Sequence, residues 1–116
     1  MNDNKYNVVI TQSALDDIDM IMMQLTHSFF SQTIVMKLFD RIMDGIESLG
    51  FMPERIKIVD FEPAKSKGIR RLLVDKYSVF FYLSGKSVVV TNVLFGSSDE
   101  FQRIQNLTGG ILSQNA

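Results

Sequence analysis

The sequence predicts an α+β fold, and three observations carry that reading. Apolar residues recur at spacings of three and four between Leu15 and Leu49, and they alternate with period two between Ile69 and Phe95. A short β-branched run, Val8 to Ile10, precedes the first periodic stretch. A chain of 116 residues, 46% hydrophobic and 22% charged, has material for one core that helices and sheet must share. The expected organisation is a single domain over 1–107 and a flexible C-terminal tail over 108–116.

Residues Tyr6 to Ile10 read as a first strand running into a helix start at Thr11, Gln12 and Ser13. Ser13 is the expected N-cap, with Asp16 three residues on in a capping-box-like place and Asp17 and Asp19 adding negative charge to the first turns. Leu15, Ile18, Met22 and Leu25 then form the buried stripe of a helix that closes near His27. A second helix opens around Ser28 to Ser31 and carries Val35, Leu38, Ile42, Ile46 and Leu49 on one face, with Gly50 as C-cap. The short connection makes the pair an antiparallel helical hairpin. Met20, Met22, Met23, Met36 and Met43 are expected to be core more than partner surface.

Phe51 to Lys67 contains both prolines and has no sustained period, so a long loop is expected there. After Gly68 come three strands, Ile69 to Val74, Tyr77 to Leu83 and Ser87 to Phe95, joined by two tight turns into an antiparallel meander. In the middle strand Tyr77, Val79, Phe81 and Leu83 share one face, while Ser78, Phe80 and Tyr82 share the other. The helices cover one face. The other is left to the C-terminal segment, to a second copy in a homodimer, or to a partner protein. A short helix from Asp99 to Leu107 is expected after Gly96.

Composition closes off several kinds of chemistry. With no cysteine and one histidine there is no disulfide framework and no Cys/His zinc cluster, so no metal and no cofactor is expected. His27 has no acid or serine at a useful spacing and is assigned no catalysis. The polar start of the chain lacks the apolar core of a secretion signal, and no stretch approaches a membrane span, so a cytoplasmic protein without a membrane partner is expected. The formal charge of −1 conceals an asymmetry. Up to Leu49, Asp3, Asp16, Asp17, Asp19, Asp40, Asp44 and Glu47 face only Lys5, Lys37 and Arg41. From Pro53 to Lys86, the bases Arg55, Lys57, Lys65, Lys67, Arg70, Arg71, Lys76 and Lys86 outnumber Glu54, Asp60, Glu62 and Asp75. An acidic or polyanionic partner would meet the second half first.

This order of elements, and the residues within it, resemble the RelE/ParE superfamily, the toxic halves of bacterial toxin–antitoxin pairs. Tyr6, Val8 to Thr11 and Ala14 to Ile18 are similar to the family's opening strand and first helix, and Ile46 to Leu49 with Pro53-Glu54-Arg55 to the close of its second helix. Ser66 to Val74, Tyr77 to Tyr82 and Val88 to Gly96 resemble the strand motifs of its ParE-like branch. The resemblance implies a type II toxin of the plasmid-stabilisation kind, neutralised by a cognate antitoxin protein and acting on DNA gyrase, as in ParE relatives, or on the ribosome.

Two departures bear on chemistry. Ser78 stands where the middle strand usually has an arginine, and Gly96-Ser97-Ser98-Asp99 replaces the glycine, two arginines and aspartate of many ParE-like chains. Phosphoryl transfer depends on cations placed at the developing charge, so no catalytic residue is assigned. Inhibition by binding is favoured over ribosome-dependent mRNA cleavage, and an inactive binding module on the same fold is the third reading. Lys67, Arg70, Arg71, Tyr82, Ser97 and Ser98 are the candidate target- or antitoxin-binding residues.

Overall fold

A computed structural model describes residues 5–28 and 30–96. Strand β1 (Asn7–Ile10) leads into helix α1 (Gln12–His27) and helix α2 (Gln32–Ser48); a 3-10 turn (Pro53–Arg55) follows, and then strands β2 (Arg70–Val74), β3 (Tyr77–Ser84) and β4 (Ser87–Phe95). The four strands form one sheet in the order β1-β4-β3-β2. β1 lies parallel to β4, and the meander pairs are antiparallel. The expected helix Asp99–Leu107, the tail and the Ser97-Ser98 pair lie outside the described residues.

The cap of α1 is Thr11, not Ser13. Thr11 N–H donates to Val90 O at 3.1 Å to complete the β1–β4 ladder, and the same residue's Oγ1 accepts from Ala14 N–H at 3.2 Å. One residue thus ends the strand and begins the helix, which starts two positions earlier than the capping-box pattern placed it. The buried face runs through Ala14, Ile18 and Ile21, and Leu15 is 40% exposed rather than packed. The aspartates do not act through the first turn either. Asp16 accepts from Gln12 Nε2 at 2.9 Å, and Asp17 Oδ2 accepts from Val93 N–H at 2.9 Å and Asn92 Nδ2 at 3.2 Å. A register shift in β4 opposite Phe80 and Phe81 carries that strand past the end of β1, and Asp17 satisfies the edge amide that β1 no longer reaches.

Ser31 caps α2, its hydroxyl accepting from Ile34 N–H at 3.2 Å. Val35, Ile42, Ile46 and Leu49 are buried as their spacing predicts, with Leu38 half-buried beside them. The helix crosses the sheet closely at Gly45, where an added Cβ would stand 2.7 Å from Val74 Cγ2. The C-cap is Leu49 rather than Gly50; Gly50 follows it and hands its carbonyl to Tyr6 N–H at 2.7 Å. Between the helices and the sheet lies the main core, with Val79 and Phe81 of β3 and Val88, Val90 and Val93 of β4 against Ala14, Ile18, Ile42 and Ile46.

The opposite face is not left for another molecule in the way the helix count implied. The segment between the 3-10 turn and β2 folds onto it and makes a second cluster of Val59, Phe61, Ala64 and Phe80, with Ile69 and Leu94 packed alongside. Ile58 bridges Arg70, and Val59 N–H donates to Ile69 O at 2.9 Å, which ties the segment to the start of β2. Beyond the cis Glu62–Pro63 peptide, a run of turns is closed by Lys65 N–H to Phe61 O at 2.8 Å and Ile69 N–H to Ala64 O at 3.1 Å. Apolar residues in turns have no period, which is why this second core is invisible to pattern reading.

Candidate functional site

Strand alternation sends the two neighbouring arginines to opposite sides of β2. Arg70 stands opposite Phe81, toward the helices, and its Nη1 donates to Ile56 O at 2.5 Å and Glu54 O at 3.3 Å. It acts as a clamp between β2 and the 3-10 turn. Near it, Tyr6 OH donates to the Glu54 carboxylate, and Lys86 Nζ sits 4.8 Å from the centre of the Tyr6 ring. The Tyr6 hydrogen bond holds the Glu54 carboxyl below its usual range, helped by the charges of Lys86 and Arg70. The same bond raises the Tyr6 hydroxyl above its ordinary value.

Arg71 faces the other way, opposite Phe80, on the side that the loop partly covers. Its Nη1 donates to Ser78 Oγ at 3.2 Å, and that hydroxyl donates to Gly96 O at 2.7 Å. Ser78 is fully buried. The guanidinium of Arg71 therefore reaches across to β3, and a buried serine holds it there. Tyr82 lies on the same face, half-buried and in register with Val89. Leu73, next along that face of β2, is 52% exposed.

Lys67 sits at the rim of this face, exposed, in the last turn before Gly68; its backbone N–H, not its side chain, is held, by Ala64 O at 3.1 Å. Lys65 pairs with Asp60 at 3.6 Å, an exposed contact of small energetic weight. Of the predicted site residues, the fold thus gathers Arg71, Tyr82 and Lys67 on or beside one face and removes Arg70 to the other. Ser97 and Ser98 cannot be placed, being outside the described residues. No group of three or more potential metal-ligating side chains occurs among the described residues.

The methionines correct a second expectation. Met20 and Met23 are 53% and 54% exposed and Met36 is about half exposed, whereas Met22 and Met43 are half-buried and pack against the main core. Phe30 and Ile34 of the helical hairpin are exposed as well, and Met22, Phe30, Val35, Met36 and Phe39 line an open groove between α1 and α2. The signal was present in Ile18 and Ile21: once these define the buried face, Met20 and Met23 must point outward.

No protein-family model matches the sequence, and no curated protein matches it. Solved structures do. A chain of the chromosomal ParDE toxin–antitoxin system of P. aeruginosa superposes with a TM-score of 0.68 at 18% identity, covering 81% of this chain and 99% of that one. A chain of the RelBE2 toxin–antitoxin complex of Mycobacterium tuberculosis superposes with a TM-score of 0.53 at 15% identity, covering 78% and 98%. The protein therefore shares the fold of these two chains, an α+β architecture of two helices on a four-stranded mixed sheet.

Proposed function

We propose that the protein is the toxin component of a type II toxin–antitoxin system, ParE-like in action. It blocks an essential target in the cytoplasm by binding it, with DNA gyrase the target expected from ParE relatives, and a cognate antitoxin neutralises it. The observation that carries this reading is Arg71. On the loop-covered side of the meander it is, among the described residues, the strand cation that remains, and its guanidinium is already engaged by Ser78. Cleavage of RNA needs several cations converging on the scissile phosphate, whereas inhibition by binding needs complementary surface. The near-complete coverage of a ParDE chain supports the same reading.

A second reading, a non-toxic binding module that keeps the antitoxin surface, is favoured by that same Arg71–Ser78 bond, because it leaves the arginine fewer free donors. Inducible expression in a bacterial host separates the readings. The chain, and a Ser97→Arg/Ser98→Arg form, are each expressed with and without the neighbouring gene. Growth arrest by the unaltered chain, relieved by the neighbouring gene, is the expected result. Arrest by the double-arginine form alone identifies a lost active region, and arrest by neither form supports the binding module. Codon-specific cuts on ribosomes by stoichiometric purified protein would overturn inhibition by binding.

A further inference from the structure

The segment that leaves α2 crosses one end of the sheet before it reaches β2. At the β1 edge, Lys5 and Phe51 form an antiparallel bridge, and Tyr6 N–H donates to Gly50 O at 2.7 Å. At the β2 edge, Ile58 forms an antiparallel bridge with Arg70. These are the two outer strands, about 15 Å apart at three strand spacings. Phe51 to Ile58 therefore spans the end of the sheet at which β1, β2 and β4 begin. The turn from β3 to β4 brings Lys86 to the same end, its Nζ 4.8 Å from the centre of the Tyr6 ring.

Bases gather along this strip. Lys5, Arg55, Lys57 and Lys86 are exposed and Arg70 is half-buried, while Phe51 to Ile58 holds a single acid, Glu54, whose carboxylate already accepts from Tyr6 OH. The strip therefore carries a positive surplus. Asp17, bonded to Val93, and Asp75, paired with Arg41, belong to the other end of the sheet, where β3 begins and β4 finishes. Large apolar side chains stand among the bases and stay in water: Phe51, Met52 and Ile58 are 53%, 43% and 43% exposed. None of the three is needed by either core.

We infer that this end of the sheet is a docking surface for an anionic lipid bilayer. Lys5, Arg55, Lys57 and Lys86 meet the lipid phosphates, and Phe51, Met52 and Ile58 enter the boundary between headgroups and acyl chains. Charge and apolar area act together in such attachment, and the strip supplies both. A nucleic-acid strand is the poorer occupant, because Met52 and Ile58 have no ring on which a base can stack, whereas the bilayer boundary takes aliphatic and aromatic side chains alike. The expectation of no membrane partner came from the lack of a spanning stretch. No helix among the described residues is long and apolar enough to cross a membrane, and attachment at the surface needs none. The inference does not rest on the toxin reading, so the growth assay can fail while vesicle binding stands.

The test is flotation of the full chain with vesicles of phosphatidylglycerol and phosphatidylcholine in equal parts, against vesicles of phosphatidylcholine alone. Binding to the anionic vesicles only, weakened by salt, is expected. Arg55→Ala/Lys57→Ala should lower the partition by about tenfold or more, at about fivefold for each base near the surface, with the circular dichroism unaltered. Lys37→Ala/Lys76→Ala makes the same change in net charge at exposed positions off the strip and should lower it by less than about threefold. The chain has no tryptophan, so Phe51→Trp supplies one reporter, whose emission should shift to the blue on the anionic vesicles and be quenched by brominated acyl chains. Absence of flotation, equal losses in the two double variants, or an unshifted Phe51→Trp emission would each overturn the proposal. Tighter binding of polyuridylate or of polyglutamate than of the vesicles at equal charge would also overturn it, in favour of a nucleic acid or an acidic protein.

Discussion

The two faces of the sheet are closed by different means. Toward the helices, Ala14, Ile18, Ile42 and Ile46 meet Val79, Phe81, Val88 and Val90 across two long elements, so each contact is supported by neighbours three or four residues away. On the other face, Val59, Phe61 and Ala64 reach Phe80 from a string of turns, and at the rim Arg71 bonds Ser78, which bonds the Gly96 carbonyl. Burial is equal for Phe81 and Phe80, at 0% and 1% exposure. The comparison teaches that equal burial does not mean equal cooperativity: the helix side is expected to open only with global unfolding, and the loop side to open locally.

Truncation of the two phenylalanines tests that difference where the effect is largest. Phe81→Ala should cost about 3–5 kcal/mol in denaturant unfolding, the range for a phenylalanine removed from a packed core. Phe80→Ala should cost less, because the loop can collapse or lift away. Its signature is faster amide exchange at Val59, Lys65 and Ile69 at denaturant concentrations where the helices remain protected. Equal losses of global stability, with no local exchange at the loop, would show that the faces form one cooperative unit.

The arginines sharpen the comparison at a smaller scale. Arg70→Ala removes charged hydrogen bonds to two carbonyls and should lower stability by about 1–2 kcal/mol. Arg71→Ala gives up one long bond to a hydroxyl and should change stability by less than about 1 kcal/mol. If the loop side is the antitoxin-facing patch, Arg71→Glu should weaken antitoxin association by about 1–3 kcal/mol and flatten its salt dependence. Calorimetric titration at two salt concentrations reads both. An unchanged affinity would reduce the patch to a solvated edge.

The same contrast explains what was legible in the sequence. Strands and helices carry a period, and the bounds read for the meander differ from the observed ones by about a residue; Val35, Ile42 and Ile46 are buried where the spacing put them. The misses share one cause. Thr11 rather than Ser13 caps α1 because the β1–β4 pairing, a contact of residues far apart in the chain, decides where the strand stops. The loop's second core and the use of Arg70 as a carbonyl clamp likewise depend on distant partners, Phe80 and Ile56, which no local pattern announces. That Arg70 and Arg71 take opposite faces was legible from alternation; which face each takes, and the hold of Arg71 on Ser78, were not.

Asp17 extends the comparison to the edge of β4. Its carboxylate replaces a strand partner for Val93, so Asp17→Ala leaves a half-buried amide without its acceptor and should cost about 1–2 kcal/mol in urea unfolding. Asp16→Ala, one position along and bonded only to Gln12 on the surface, serves as the control and should fall within about 0.5 kcal/mol of the parent. Similar losses for the two would mean that Asp17 acts through general charge and not as an edge cap.

The smallest effect belongs to the Tyr6–Glu54 pair, and its sign can be worked out at both ends of the pH scale. Glu54 has a folded-state pKa below the ordinary carboxylate value, chiefly because Tyr6 donates to it, so its contribution is present above the unfolded carboxylate pKa and is lost as pH falls through the depressed one. Tyr6 has a folded-state pKa raised by the same bond, so its contribution is complete below the unfolded tyrosine pKa of about 10 and is lost as pH rises through the raised value. Both groups lie at the surface, so each change is screened and shallow. Tyr6→Phe should therefore flatten the stability profile at both the acid and the alkaline end, since it removes the proton donor that shifts Glu54 along with its own titration. Glu54→Gln keeps a hydrogen-bonding side chain for Tyr6 but loses the acid-side dependence. A Tyr6→Phe protein whose unfolding midpoint tracks the parent at every pH from the acid limb to the alkaline limb would show that the bond anchors no part of β1. The clamp beside β2 would then rest on Arg70 alone.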